Sequence, residues 1–348
     1  MSHLATLKTY LPWIQTPLVV NAPMSGSAKS KLAVAVTRGG GLGQIGFLDD
    51  MHELSTELET TKKALQESNF DITKTLPIGL GVIVFGSQMD AWMQLLETYK
   101  PAVAWLSFAD NDTLSQWTES IRKYSPETRV WVQLGNVAAA VDVARACHPD
   151  ALVLQGGDAG GHGHENGASI VSLIPEVGDA LQDLGLGDVP LIAAGGIADG
   201  RGCAAALTLG AAGIVMGTRF LGAEETFIPN VYRDAIFEAF DGGRATGRSR
   251  IFDEVWGPNF WPETYDGRCL RNKVYDHYKN GVDIKKIRAL ISGAMNGPGF
   301  GNLDTKDMGN IWAGTGVGLV KKQEKAGEIM EEVRGDARKY LERASLYL

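Results

Sequence analysis

Short, unbroken apolar runs recur along the first two-thirds of the chain, at residues 18–22, 42–45, 78–82, 103–106, 130–134, 151–154, 191–194 and 213–216. They are rich in Val, Ile and Leu and lack polar alternation, the pattern of strands buried on both faces of a parallel sheet. Helical patterns lie between them. Residues 31–38 end in Gly39-Gly40-Gly41, a good C-terminal stop. Residues 138–147 stop before Pro149, and 202–209 end at Gly210. Strand and helix repeated eight times predict an α/β protein, a (β/α)8 TIM barrel over residues 1–226. A doubly wound open sheet is the competing architecture, and eight units favour closure.

After about residue 225 the rhythm changes. Residues 227–312 carry Trp256, Phe260, Trp261, Tyr265, Tyr275 and Tyr278 among helical patches and Gly/Pro turns. They are predicted to be an insert or extension near the barrel mouth. Residues 313–348 are predicted to pack back on the barrel, with an amphipathic helix at 319–344.

Composition narrows the function classes. With 44% hydrophobic residues the chain buries a large core, and disorder is excluded. The net charge of −8, without a dense Lys/Arg block, argues against a nucleic-acid partner. No apolar run approaches the ~20 residues of a membrane span. Cys147, Cys203 and Cys269 form neither a disulfide framework nor a zinc cluster, so a reducing, cytosolic setting is expected.

Candidate chemistry sits just past the predicted strands, the end of a barrel that holds active sites. Gly195 and Gly196 follow strand seven, and Gly217 and Thr218 follow strand eight. A phosphate site recurs at these two loops in barrels, because glycines let backbone N–H groups approach phosphate oxygens. A helix dipole behind the loop is expected to help; plain tight turns are the alternative. After strand six comes a Gly-rich loop, QGGDAGGHGH, at 155–164. His162 directly follows Gly160 and Gly161 and is the expected catalytic acid/base. Two His residues two apart also suit a metal pair, but no carboxylate or Cys cluster accompanies them, so no metal is expected. A solvated loop His is the remaining alternative, and His164 is read that way. Ala22, Pro23 and Met24 after strand one could border a planar heteroaromatic ring, or simply pack. Gln133, polar at the end of an apolar run, faces either a ring carbonyl or a neighbouring side chain.

With these residues assembled, the chain resembles the nitronate monooxygenase family, formerly 2-nitropropane dioxygenases. The carrying motifs are NAPMSG at 21–26, LAVAVTRGGGLGQIG at 32–46, QGGDAGGHGH at 155–164, the 190–220 stretch from PLIAAGG to GTRF, and WAGTGVG at 312–318. The resemblance implies noncovalent FMN, with Ala22, Pro23 and Met24 along the ring, Gln133 at its polar edge, Gly160 and Gly161 bordering it, and Gly195, Gly196, Gly217 and Thr218 at the phosphate. It implies His162 as the catalytic residue, abstracting the α-proton of a nitroalkane or steadying a nitronate. The expected partners are a small-molecule nitronate and O2, with carbonyl compound and nitrite as products and a homodimer as the assembly allowed for. Three departures stand out: Asp158 where Glu is usual, Thr315 where many relatives have Gln, and a Gly79-Leu80-Gly81-Val82 third strand without the Asn or Thr of several relatives. Two related readings share the loops: NAD(P)H-dependent FMN reductases acting on enoyl-ACP or quinones. A non-catalytic flavin- or phosphate-binding barrel is the reading of another class.

Overall fold

The computed structural model describes residues 2–296 and 308–347; residues 297–307 of the aromatic-rich stretch, with Met1 and Leu348, lie outside the described residues. Helix α1 (His3–Tyr10) precedes the barrel. The chain then alternates β1 (Leu18–Asn21), α2 (Ser30–Arg38), β2 (Gln44–Ile45), α3 (Met51–Glu67), β3 (Leu76–Ile83), α4 (Met89–Tyr99), β4 (Pro101–Ser107) and α5 (Asn111–Tyr124). It continues through β5 (Arg129–Leu134), α6 (Val137–Cys147), β6 (Ala151–Gln155), the short β7 (Gly161–His164), α7 (Ile170–Asp183), β8 (Leu191–Ala194), α8 (Gly200–Thr208) and β9 (Gly213–Met216).

The expected barrel is present. Eight strands pair in parallel in the order β1-β9-β8-β6-β5-β4-β3-β2, and a bridge from Val20 to Leu42 joins the first strand to the segment entering the second. The apolar runs carry no alternation because both faces are covered. Inward residues such as Leu18, Val20, Val103, Trp105, Trp131, Val153 and Val215 fill the barrel. Their neighbours Val19, Ala104, Leu106, Leu152, Leu154 and Ile214 pack under the surrounding helices. Leu7, Leu11 and Ile14 join the interior cluster, so α1 and the residues after it seal one end.

Beyond β9 a single turn, α9 (Thr218–Leu221), leads into the excursion: α10 (Asn230–Glu238), α11 (Gly242–Ala245), β10 (Thr246–Ser249), α12 (Ile251–Glu254), β11 (Tyr265–Leu270), α13 (Lys273–Lys279) and α14 (Ile284–Asn296). The final helix, α15 (Ala326–Ala344), packs against α8 and α2 and buries Ile329, Met330, Val333 and Ala337. It occupies the place of the eighth barrel helix, so the excursion is an insertion inside the last strand–helix unit. The helix starts later than the predicted 319. Glu324 bridges to Ala223 through its backbone, and its carboxylate accepts from the buried Arg219 at 2.7 Å, which keeps that approach extended. Arg334 of α15 donates to the carbonyls of Pro17, Gly39 and Gly40, tying the last helix to the first strand–helix unit.

A second, antiparallel sheet has the order β10-β11-β7, with Gly267 opposite His162. The second half of the expected Gly-rich loop, Gly161–His164, is thus a strand. Its glycines have little strand preference of their own, and pairing with β11 supplies the order.

Candidate active site

A cavity of about 500 Å³ opens at the C-terminal ends of the barrel strands. The expected catalytic and cofactor-binding residues all border it: Ala22, Pro23, Met24, Gln133, Gly160, Gly161, His162, Gly195, Gly196, Gly217 and Thr218. The inserted segment supplies further walls through Tyr232, Trp261, Asn310 and Trp312. The volume falls within the ~300–1,000 Å³ of small-molecule sites.

At one part of the wall lie the turns after β8 and β9. Gly195 and Gly196 have φ of +106° and +74°, in the left-handed region where a side chain is strained. A Cβ on Gly195 would come within 2.9 Å of the Gly156 carbonyl oxygen. Gly217 is the N-cap of α9: its carbonyl accepts from the Phe220 and Leu221 N–H groups, and the Thr218 and Arg219 N–H groups have no partner within the helix. The hydroxyl of Thr218 accepts from the Gly314 N–H at 3.0 Å, binding this turn to the segment before α15. The N-terminus of α8 is already taken by Asp199, which accepts from the N–H groups of Arg201 and Gly202, so the one turn of α9 is what remains.

Asp158 and Thr315, two of the positions noted as departures in the sequence reading, meet each other. Thr315 Oγ1 donates to Asp158 Oδ1 at 3.0 Å, and the Thr315 N–H donates to the Asp158 carbonyl at 3.0 Å.

Gln133 belongs to a relay of side chains. Its Oε1 accepts from Trp105 Nε1 at 3.2 Å, and its Nε2 donates to Gln155 Oε1 at 3.1 Å. Gln155 in turn donates to the His162 carbonyl at 3.0 Å. Gln133 thus satisfies its neighbours, one of its two readings, and it also borders the cavity.

His162 is held on three sides. Its Nε2 lies 2.9 and 3.1 Å from the two carboxylate oxygens of Asp253. Its ring stacks on Trp261 with centroids 3.6 Å apart, and Trp312 lies tilted at 4.6 Å. No Lys, Arg, Asp or Glu is among the described residues lining the cavity, so this imidazole is its one basic side chain. His164, expected to be solvated, is instead half-buried, its Nε2 2.7 Å from Asn136 Nδ2. Burial, followed by the nearby Arg248, lowers its pKa below the ordinary histidine value.

Sequence reading missed Asp253, Trp261, Trp312 and Asn310. The aromatic density of the inserted segment was a signal for Trp261, and Trp312 opens the WAGTGVG motif. Asp253 had no local signal. Asn310 donates through Nδ2 to the Phe252 carbonyl at 2.7 Å, while its buried Oδ1 has no partner.

The comparisons with known proteins meet this geometry. The family model for nitronate monooxygenases matches residues 82–336. The chain belongs to the nitronate monooxygenase family. It is 38% identical to the nitronate monooxygenase npaC of Metarhizium robertsii, over 95% of this chain and 94% of that protein. It is 33% identical to a nitronate monooxygenase of Neurospora crassa, over 99% of this chain and 95% of that protein. Among solved structures, FabK from Thermotoga maritima superposes with a TM-score of 0.73 at 25% identity, covering 98% of each chain. As a nitronate monooxygenase the chain is an oxidoreductase, and the reading of a non-catalytic barrel falls away.

Proposed function

We propose that this enzyme uses FMN to oxidise small alkyl nitronates with O2, yielding carbonyl compounds and nitrite, with His162 as its acid/base residue. The observation that carries the reading is one imidazole, stacked and hydrogen-bonded, in a cavity otherwise without charged side chains and bordered by the glycines after β6, β8 and β9.

The residues present fit the cofactor. Gly195 and Gly196 adopt backbone angles that bring peptide groups to the cavity without side chains, and Thr218 offers a hydroxyl proton beyond the bond it accepts. These would hold the phosphate, through charge-assisted bonds that each contribute about 1.5–3 kcal/mol. Ala22, Pro23, Met24, Gly160 and Gly161 would border the ring, and the relay through Gln133 and Gln155 would meet its polar edge. The unpartnered Oδ1 of Asn310 is an acceptor suited to an N–H or O–H of a bound molecule. When bound, FMN supplies the acceptance of electrons from the nitronate and their passage to O2.

The protein's own part is to exclude water and handle the proton. Trp261 and Trp312 screen one side of His162, so a charge on its ring acts in a poorly screened setting. A neutral imidazole takes the α-proton of a nitroalkane; the resulting imidazolium steadies a nitronate. Partners are the nitronate and O2, and the three buried thiols accord with the cytosol.

The test is direct. Purified protein should be yellow and release FMN on denaturation. With propyl-2-nitronate in air it should consume oxygen without added pyridine nucleotide. Colourless protein that cannot be reconstituted, or oxygen uptake that needs NADH or NADPH, overturns the reading.

A further inference from the structure

We infer that Asp253 is a positioning residue that keeps the proton of His162 on Nε2 and leaves Nδ1 as the basic nitrogen. The inference rests on the reading of His162 as the acid/base residue.

A carboxylate only accepts hydrogen bonds, so the nitrogen facing it must carry the proton. Both Asp253 oxygens address the same atom, Nε2, at 2.9 and 3.1 Å, and the two side chains are each only 15% exposed. A neutral imidazole has one donor and one acceptor nitrogen, and the partner of one decides the role of the other. Nδ1 makes no hydrogen bond to a described residue, in a side chain that borders the cavity. The lone pair is therefore kept on the nitrogen that is free to take a substrate proton. When the α-carbon gives up that proton to Nδ1, the ring becomes an imidazolium with a proton on each nitrogen. The positive charge then lies beside the Asp253 carboxylate in a cavity with no other charged wall.

The carboxylate is itself held in place. Asp253 lies on the single turn α12, whose Phe252 carbonyl accepts from Asn310 and whose Glu254 carbonyl accepts from Arg288. Arg250, just before α12, donates to the carbonyls of Trp261, Pro262 and Tyr265. The backbones that carry the stacking indole and the carboxylate are thus tied together through Arg250. On the opposite side, β7 is fixed by its pairing with β11. A residue serving only to dock the inserted segment would not need both oxygens on one ring nitrogen.

The experiment labels histidine with ¹⁵N and reads the His162 ring in the flavin-loaded enzyme, at alkaline pH where the imidazole is neutral. The signal is assigned by its loss in His162→Gln. Wild type should show a protonated Nε2 and a bare Nδ1. In Asp253→Asn the introduced amide can donate to Nε2, and the proton should move toward Nδ1. Turnover of neutral nitroethane should fall about a hundredfold in that variant, the lower end of general-base contributions, while turnover of preformed ethylnitronate, which loses only the steadying imidazolium, should fall about tenfold or less. Asp253→Glu should recover part of the loss. A proton on Nδ1 in wild type, or equal losses on both substrates in Asp253→Asn, overturns the assignment. If Asp253→Asn fails to fold, the wild-type spectrum still decides it. Failure of the functional reading is separately visible, as wild-type protein that consumes no oxygen with nitronate.

Discussion

The imidazole of His162 lies flat against the indole of Trp261, their centroids 3.6 Å apart and their planes 8° from parallel. One ring comes from a strand attached to the barrel, the other from the segment inserted after β9. The contact therefore joins the inserted segment to the proposed acid/base residue.

Replacing Trp261 with Ala should remove about 1 kcal/mol of ring–ring attraction and free the imidazole to rotate. Turnover of nitronate should fall roughly tenfold, the rate equivalent of about 1.4 kcal/mol. The flavin spectrum should stay intact, because Trp261 lies at the aromatic wall and not at the glycine turns. Steady-state oxygen uptake and an absorbance scan on the same sample check both halves.

Gly195→Ala should act on the other half of the site. Its φ of +106° costs a residue with a side chain about 1–3 kcal/mol, and the new methyl would press on the Gly156 carbonyl. Flavin retention should drop, and the melting temperature of the apoprotein should drop with it. Full flavin content after gel filtration would contradict this.

His164 should make the fold sensitive to acid. Asn136 caps α6 by accepting from the Ala139 N–H, which turns its Nδ2 toward His164 Nε2 as a donor. A proton added at Nε2 would set two donors face to face and charge a half-buried ring. Because burial holds the folded pKa below the unfolded value of 6.5, the unfolded chain binds the proton more readily. This contribution to stability is complete above pH 6.5 and is lost as the pH falls through the folded pKa. Thermal melts across that range should show a steeper decline for wild type than for His164→Gln.

Arg334→Met should be costly despite its apolar surroundings. Two carbonyls, those of Pro17 and Gly39, lose their donor at once, while that of Gly40 keeps the Gln15 N–H. At about 1–3 kcal/mol for each stranded group, stability should fall by roughly 2 kcal/mol or more. Burial, with Arg338 nearby, lowers this guanidinium to about 10, yet it remains charged at neutral pH. Chemical denaturation should show an earlier midpoint with an unchanged slope.

The barrel was legible in the sequence because strands buried on both faces carry their signal in every residue, as 103–106 and 151–154 do. The glycine turns were legible for a similar reason. A peptide group that must reach a cavity uncovered leaves Gly in the chain, as at 195 and 196. The inserted segment was not, because its order is tertiary. Gly161–His164 is a strand only through β11, and Asp253 finds its role 91 positions away from His162. A lone carboxylate in a short helical patch looks like solvated surface until the fold places it. His164 misled in the same way, since nothing beside it announces Asn136.

The position of α15 has a consequence for how the protein is made. All eight barrel strands have been synthesised once Met216 is added, yet the helix that covers the seam between the first and last units runs from Ala326 to Ala344. Until then the surface destined for Ile329, Met330 and Val333 stays open to water. A nascent chain must therefore carry a nearly complete but unsealed cylinder for more than a hundred residues of translation, a stretch in which chaperones have their clearest purchase.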